Sequence, residues 1–362
     1  MASASGLGPE GRGFKSLHSD HFFNMESILI IKLGALGDLV LCTGVFEKIR
    51  KTYNNNRVVL LTSKKWYNAV KDMPFFDEVK IIDDFKIHNL ISWLRVYNQL
   101  KFDRNNQYKI IFDLQTSSKT LRLSYLKFLG DLVFKIFSPK KYKKTLWYGH
   151  SKVGDLYYKY DDRISDLQNL QNQISQVINL KNSKNILPNL SYLQNANCDD
   201  FIFNNQRLID SNFCLLIPNC SIHRIGKRWL VDRFSFIINY LNKNNLYVAI
   251  IGGEGDLGYT NQILQKAEDL SKIINLCGKT NISHIATLAK FSKLAIGLDT
   301  GPSHIVSYSG SKTIFLASTD ETNIVKSLPE IDNVKIISAK KMSNISTEIV
   351  VKAINNILYG TV

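Results

Sequence analysis

Two stretches bring together residue types that can do chemistry. In ILIIKLGALGDLVLC (28–42) a branched apolar run ends in Gly34-x-x-Gly37, and an acid, Asp38, opens the next apolar run. An apolar run, a glycine turn and a helical pattern are how a nucleotide-binding strand–turn–helix begins. Asp38 stands where a phosphate would rest, and a carboxylate there repels a pyrophosphate. G-A-L-G-D-L also departs from G-x-G-x-x-G, which argues against a nicotinamide-dependent oxidoreductase.

The second stretch is AIGLDTGPSHIVSYSG (295–310), a strand ending in Gly297 followed by a turn into a helix. Pro302 suits the first helical turn, and Gly301 lets backbone approach a ligand. Free N–H groups at that helix start can hold a pyrophosphate without a metal, although Asp-Thr-Gly-Pro is equally a good turn and cap. Upstream, IPNCSIHRIGKRWLVDRF (217–234) packs Ser221, His223, Arg224, Lys227 and Arg228 into one loop between a strand and a helix. Lys227 or a neighbour can neutralise phosphate oxygens, with Ser221 and His223 as donors; the alternative is a solvated basic loop. AIIGGEGD (249–256) ends a strand in Gly252-Gly253 before Glu254, whose carboxylate is either a ribose acceptor or an exposed acid on a glycine turn. All three loops follow strands of one domain, so they share the carboxyl edge where open α/β sheets bind ligands.

The elements that must position these residues alternate. Strands are expected at 28–32, 57–62, 79–82 and 109–113, with helices at 39–52, 65–71 and 89–100 between them. A second series runs from strand 213–217 through strands 246–251, 273–276, 293–297 and 312–316, each followed or preceded by a helical pattern. Alternation of this kind predicts α/β architecture with mostly parallel sheets covered on both faces. The chain has 362 residues, enough for two domains. We expect a disordered extension over 1–24 and two Rossmann-like domains, over 25–200 and 201–362. The segment 145–200 reads as a linker or sheet edge, and the last helix, near 345–358, as packing back on the first domain.

With 44% hydrophobic and 21% charged residues the composition is that of an ordinary globular chain, and no apolar run is long enough to span a membrane. Five scattered cysteines without a C-x-x-C pair suit small core residues in a reducing compartment. The formal charge of +15 concentrates in a block from Lys119 to Lys144, including Lys140, Lys141, Lys143 and Lys144 and opposed only by Asp131. Such a block is a solvated face or attracts a polyanion: nucleic acid, an anionic membrane surface, or a phosphorylated lipid. The chain lacks RNP1, zinc-finger and helix-turn-helix patterns, so no nucleic-acid partner is expected.

The order K-x-G-x-x-G-D, K-R-W, G-G-E, L-x-G-K-T-x-I-x-x-x-A-x-L-A and G-L-D-T-G-P-S-H resembles glycosyltransferase family 9, the ADP-heptose:lipopolysaccharide heptosyltransferases, over about residues 25–345. Leu230 stands where that family usually has proline after the tryptophan. The resemblance implies a GT-B fold, with an acceptor-binding Rossmann-like domain over 25–200 facing a nucleotide-sugar-binding one over 201–362 across a cleft, and inverting transfer of heptose or a similar sugar from an ADP-sugar to a lipopolysaccharide core acceptor. It implies no cofactor and no metal, and work as a peripheral enzyme at the inner face of the cytoplasmic membrane. Another nucleotide sugar, or a non-catalytic relative, is the alternative. By that resemblance Asp38 is the general base, unless its carboxylate is spent on helix-start N–H groups. Lys227 faces the donor phosphates or sugar, Glu254 beside Gly253 the ribose, and Asp299 the transferred sugar. Thr300 and Gly301 hold the leaving diphosphate, with His304 lining the pocket. The basic block meets a lipid A-type acceptor or the anionic membrane.

Overall fold

Branched apolar runs flanked by glycine turns fold as strands buried on both faces, because helices cover each side of the sheets they form. The computed structural model describes residues 26–82, 89–104, 106–179, 186–203, 205–329 and 331–360. The extension expected over 1–24 lies outside them.

The first half of the chain runs β1 (Ser27–Ile31), α1 (Leu36–Thr52), β2 (Arg57–Thr62), α2 (Tyr67–Val70), β3 (Glu78–Ile81), α3 (Leu90–Lys101), β4 (Phe102–Asp103) and β5 (Asn106–Asp113). It continues through α4 (Ser118–Phe137), β6 (Leu146–Gly149), β7 (Leu156–Tyr157) and α5 (Asp166–Ser175). A small hairpin of β8 (Ile202–Phe203) and β9 (Gln206–Arg207) precedes the second half. That half runs β10 (Phe213–Ile217), α6 (Val231–Lys243), β11 (Tyr247–Ile250), α7 (Leu257–Leu264), β12 (Ile273–Asn275) and α8 (Ile282–Phe291). It ends with β13 (Leu294–Leu298), α9 (Gly301–Tyr308), β14 (Thr313–Ser318), α10 (Ile324–Ser327), β15 (Val334–Ala339) and α11 (Thr347–Tyr359).

The first sheet has the order β3-β2-β1-β5-β6-β7, with β4 antiparallel on β5; the second is β12-β11-β10-β13-β14-β15, parallel throughout. In each, the order reverses beside its first strand: β1 pairs with β2 and β5, and β10 with β11 and β13. Those reversals open a crevice at the strands' carboxyl ends, where loops from neighbouring strands diverge. The architecture is therefore the expected pair of Rossmann-like sheets of a GT-B fold.

Residues 145–200 take the sheet-edge alternative, supplying β6, β7 and α5 to the first half, and three segments differ from the reading of the sequence. Strand β15 extends the second sheet beyond the expected strands. The basic block holds a 20-residue helix, α4, capped by Ser117, whose side chain accepts from the Thr120 N–H. The final helix lays Val350, Ala353 and Ile354 into the core beneath α6, β13 and β15 and joins Asn355 to Tyr240 by a hydrogen bond, so it packs on the second sheet rather than the first. All five cysteines are buried free thiols.

Two glycines are required by close approach. Gly34 has φ +125°, and a Cβ there would fall 2.2 Å from the Trp66 indole nitrogen, so the indole lies across the glycine turn. Gly130 lets α4 approach α3, because a Cβ would meet the Tyr97 ring at 2.3 Å. Tyr97 is buried and donates its hydroxyl to Asp131 at 3.0 Å, so its ring has little room to yield. Gly130→Ala should lower the unfolding free energy by about 1–3 kcal/mol, read from urea titration; an unchanged midpoint would refute the close-packing account.

Candidate active site

The loops leaving β1, β10, β11 and β13 converge on one cavity of about 500 Å³. The first half contributes the turn Ala35–Asp38, with Lys65, Trp66 and Asp166. From the second half come Asn219, Ser221, Arg224 and Lys227 after β10, Gly252 and Asp256 after β11, and Asp299–Pro302 with His304 after β13. A smaller cavity of about 190 Å³ shares Asp38 and Asp166 and adds Lys32, Gln115, Tyr160 and Lys326.

The two halves meet where α1 and α9 begin. A Cβ on Gly301 would stand 2.8 Å from the Leu36 Cβ, and one on Gly37 would stand 3.3 Å from the His304 ring. Both helix starts therefore present their N–H groups to the same cavity, and neither N-cap residue, Ala35 or Thr300, caps the following N–H groups with its own side chain. Partial positive charge at both ends makes the space between them favourable for an anion.

Asp38 sits in the third position of α1 with its side chain 43% exposed. The Ala35 N–H donates to its Oδ2 at 3.1 Å, and Lys32 Nζ stands 4.0 Å from the same oxygen. The helix-start role thus engages one carboxylate oxygen, while the side chain lines both cavities. Lys32 is buried and donates to the Leu114 carbonyl at 3.0 Å. Burial works against its charge, but Cys42 and the carboxylates of Asp38, Asp166 and Asp113 raise its pKa above the usual lysine value.

Asp299 is the electrostatic pivot of the second half. Lys227 Nζ donates to its Oδ2 at 2.6 Å, the Thr322 hydroxyl donates to Oδ2 at 3.1 Å, and His304 Nε2 lies 3.3 Å from Oδ1. Burial alone would raise the carboxyl's pKa; the His304 hydrogen bond and the Lys227 ammonium outweigh it and hold it well below the usual carboxylate range. Asp166, at the first turn of α5, goes the other way. Burial and the neighbouring Asp38 push it up to about 6, against the opposing pull of Lys326, Lys32 and His304.

Among the residues singled out in the sequence, Asp38, Ser221, Lys227, Asp299, Thr300, Gly301 and His304 come together on the cavity wall. His223, Gly253 and Glu254 are exposed and lie outside that wall. In the β11 turn it is Asp256 that lines the cavity, and its Oδ2 accepts the Gly253 N–H at 2.8 Å. Arg228 stacks 4.6 Å from the Tyr259 ring, and Trp229 is buried with its indole N–H donating to the Ile345 carbonyl at 2.9 Å, so two of the three K-R-W residues are structural. Leu230 caps α6 with φ −71°, a value proline also adopts, so the departure leaves the backbone path intact. Lys140, Lys141, Lys143 and Lys144 are exposed and line neither of these two cavities.

Lys32 opens the K-x-G-x-x-G-D motif and Asp256 ends the turn after β11, yet neither of them, nor Asn219 or Asp166, carries a local sign that sets it apart from its neighbours as a site residue. Asn219 was within the quoted loop; its Nδ2 donates to Thr260 at 3.0 Å, and its buried Oδ1 has no protein partner among the described residues. Among the described residues no group of three or more His, Cys, Asp or Glu side chains is arranged to hold a metal ion.

The family model for glycosyltransferase family 9 (heptosyltransferase) matches residues 159–348. A lipopolysaccharide core heptosyltransferase, OpsX, of Haemophilus influenzae is 23% identical over 297 residues, covering 80% of this chain and 78% of the relative. A family 9 glycosyltransferase structure from Veillonella parvula superposes with a TM-score of 0.73 at 19% identity, over 93% of this chain and 98% of that one. The E. coli ADP-heptose lipopolysaccharide heptosyltransferase II structure gives 0.71 at 13% identity, over 92% and 99%.

Because the Asp166 carboxyl titrates near 6 in the fold, above an unfolded value of about 3.9, the folded state binds its proton more tightly. Its ionisation therefore costs stability as pH rises from about 4 through 6. The Tm of Asp166→Asn minus that of the wild type should be larger at about pH 8 than at about pH 4, by roughly 2 °C. A pH-independent difference would contradict the assignment.

Proposed function

The chain belongs to glycosyltransferase family 9, and on that premise we propose that it moves a heptose or similar sugar from an ADP-sugar to a lipopolysaccharide core acceptor at the inner face of the cytoplasmic membrane. The observation that carries this reading is that Asp38 shares one cavity with the Lys227–Asp299–His304 cluster and the start of α9. The relatives named for ADP-heptose and lipopolysaccharide core supply the substrate classes.

In this mechanism the ADP-sugar lies along the second half. Lys227, held extended by Asp299, and the N–H groups opening α9 take up the charge that develops on the departing diphosphate. These fixed dipoles and the ammonium serve in place of a metal. Asp299 is the residue at the transferred sugar, and Ser221, Thr300, Gly301 and His304 border the donor. His223, Gly253 and Glu254 keep their donor assignments only if the loops after β10 and β11 fold inward on the nucleotide; Asn219 and Asp256 are better placed as they stand.

The acceptor enters from the first half, on the side of the smaller cavity with Lys32, Tyr160 and Asp166. Asp38 removes the proton from the acceptor hydroxyl as that oxygen attacks the anomeric carbon. The bond to the diphosphate breaks in the same displacement, so the carbon inverts and no enzyme nucleophile is needed. Lys32, 4.0 Å away, balances the Asp38 charge before the attack; once Asp38 holds the acceptor's proton it is neutral, and the negative charge resides on the departing diphosphate.

Calorimetric titration with ADP, ADP-heptose and UDP-N-acetylglucosamine, with EDTA present, tests the donor. Adenine-nucleotide binding without metal is the expected result; preference for the uridine sugar would overturn the donor assignment. Asp38→Asn retains an acceptor for the Ala35 N–H, so it should keep ADP affinity while kcat falls by about 10²–10⁴. Undiminished turnover would remove Asp38 from the base role. Lys227→Ala should weaken ADP binding by about tenfold or more, with loss of a charge-assisted contact as the cause.

A further inference from the structure

The most anomalous surface of the molecule is the outer face of α4. Its apolar stripe starts at Leu121 and Tyr125 and runs on as adjacent pairs, Phe128-Leu129, Leu132-Val133 and Ile136-Phe137. Exposure ranges from 37% at Leu121 to 81% at Phe137. The spacing places all of them along one side of a helix about 30 Å long. Scattered exposed apolar residues are ordinary on a protein, but a continuous stripe of this length is not. On the adjoining helix α3, Leu90, Ile91 and Leu94 are exposed as well.

The charge around the stripe is of one sign. Lys119, Arg122 and Lys135 flank it, and Lys140, Lys141 and Lys143 follow its end, all exposed. The segment's acid, Asp131, is buried, with its carboxylate 3.0 Å from Lys101 and 2.7 Å from Lys127. Asp155 nearby is paired to Lys144 at 2.5 Å. Nothing acidic is exposed on α4 to repel a negative surface.

We propose that the outward face of α4, with its basic rim, docks on an anionic lipid bilayer, the apolar stripe entering the boundary between headgroups and acyl chains. Charge complementarity selects this occupant. A second copy packed face to face would set two basic rims against each other, whereas lipid phosphates neutralise them while the stripe leaves water. Among the described residues no helix is long and apolar enough to cross a membrane, so the contact is peripheral.

The surface also has a useful place in the fold. Helix α4 begins just after Leu114, Gln115 and Thr116, which line the smaller cavity with Asp38. Docking through α4 therefore sets the acceptor side of the cleft next to the membrane. That purpose rests on the lipid-acceptor reading above; the adhesion itself depends only on the surface.

The test is co-sedimentation of the purified full-length protein with vesicles of phosphatidylcholine alone or with about 30 mol % phosphatidylglycerol. The wild type should prefer the anionic vesicles by at least tenfold and keep part of that binding in about 0.5 M salt, where screening removes most of the electrostatic contribution. Leu129→Glu/Val133→Glu/Ile136→Glu alters only outward positions and should lower anionic-vesicle partitioning at least tenfold while ADP titration and Tm stay as in the wild type. Lys140→Glu/Lys141→Glu/Lys143→Glu should lower it chiefly at low salt. Absence of wild-type binding, wild-type-like binding by the Leu129 triple variant, or a variant effect confined to a monomer–dimer equilibrium in sedimentation would overturn the proposal. Failure of ADP binding with intact vesicle binding would instead sink the donor reading.

Discussion

The close contact between two helix starts governs the site. Leu36 and Gly37 open α1, Gly301 and His304 lie in the first turn of α9, and the missing side chains of the two glycines let these turns touch. Below the contact, Val40 joins the core that packs α9 and β10, and Tyr308 packs against the cores of both halves. The spacing of the lobes is thus set by apolar packing, and the polar chemistry sits directly above it. A larger residue at position 301 would move every group that the two lobes contribute to the cavity.

Juxtaposing two positive helix ends carries an electrostatic cost that neighbouring acids offset. Asp38 lies at one end and Asp299 near the other, but their surroundings differ. Asp299 is clamped by Lys227, Thr322 and His304 and stays ionised. Asp38 remains partly open to the cavity, with one oxygen on the Ala35 N–H and Lys32 at the edge of ion-pair range. A firmly engaged carboxylate is suited to orienting other groups, and a partly open one to receiving a proton. Asp166 adds a third acid, its pKa raised first by burial and then by the neighbouring Asp38.

Much of this was legible in the sequence because the signals were local. Alternating apolar runs fixed the strand–helix order, and glycine turns after β1, β11 and β13 marked carboxyl-edge loops. Asp38, Lys227 and Asp299 each stood in a motif with its own backbone logic. Less visible were β6 and β7, whose few residues follow a lysine-rich stretch and form strands because β5 offers an open edge. The helix α4 was hidden for a related reason: its outward positions are apolar, which masks the polar face expected of a surface helix.

The residues by themselves determined two α/β halves, a carboxyl-edge site and the identities of its principal charges, since periodicity and turn chemistry act over a few neighbours. Only the tertiary structure decided which members of each loop reach the cavity. It chose Asp256 over Glu254 in the turn after β11, turned Trp229 inward, brought Asp166 from α5 beside Asp38, and laid α11 on the second sheet. Those outcomes depend on how surfaces far apart in the chain pack and share charge, and no spacing within one segment encodes them.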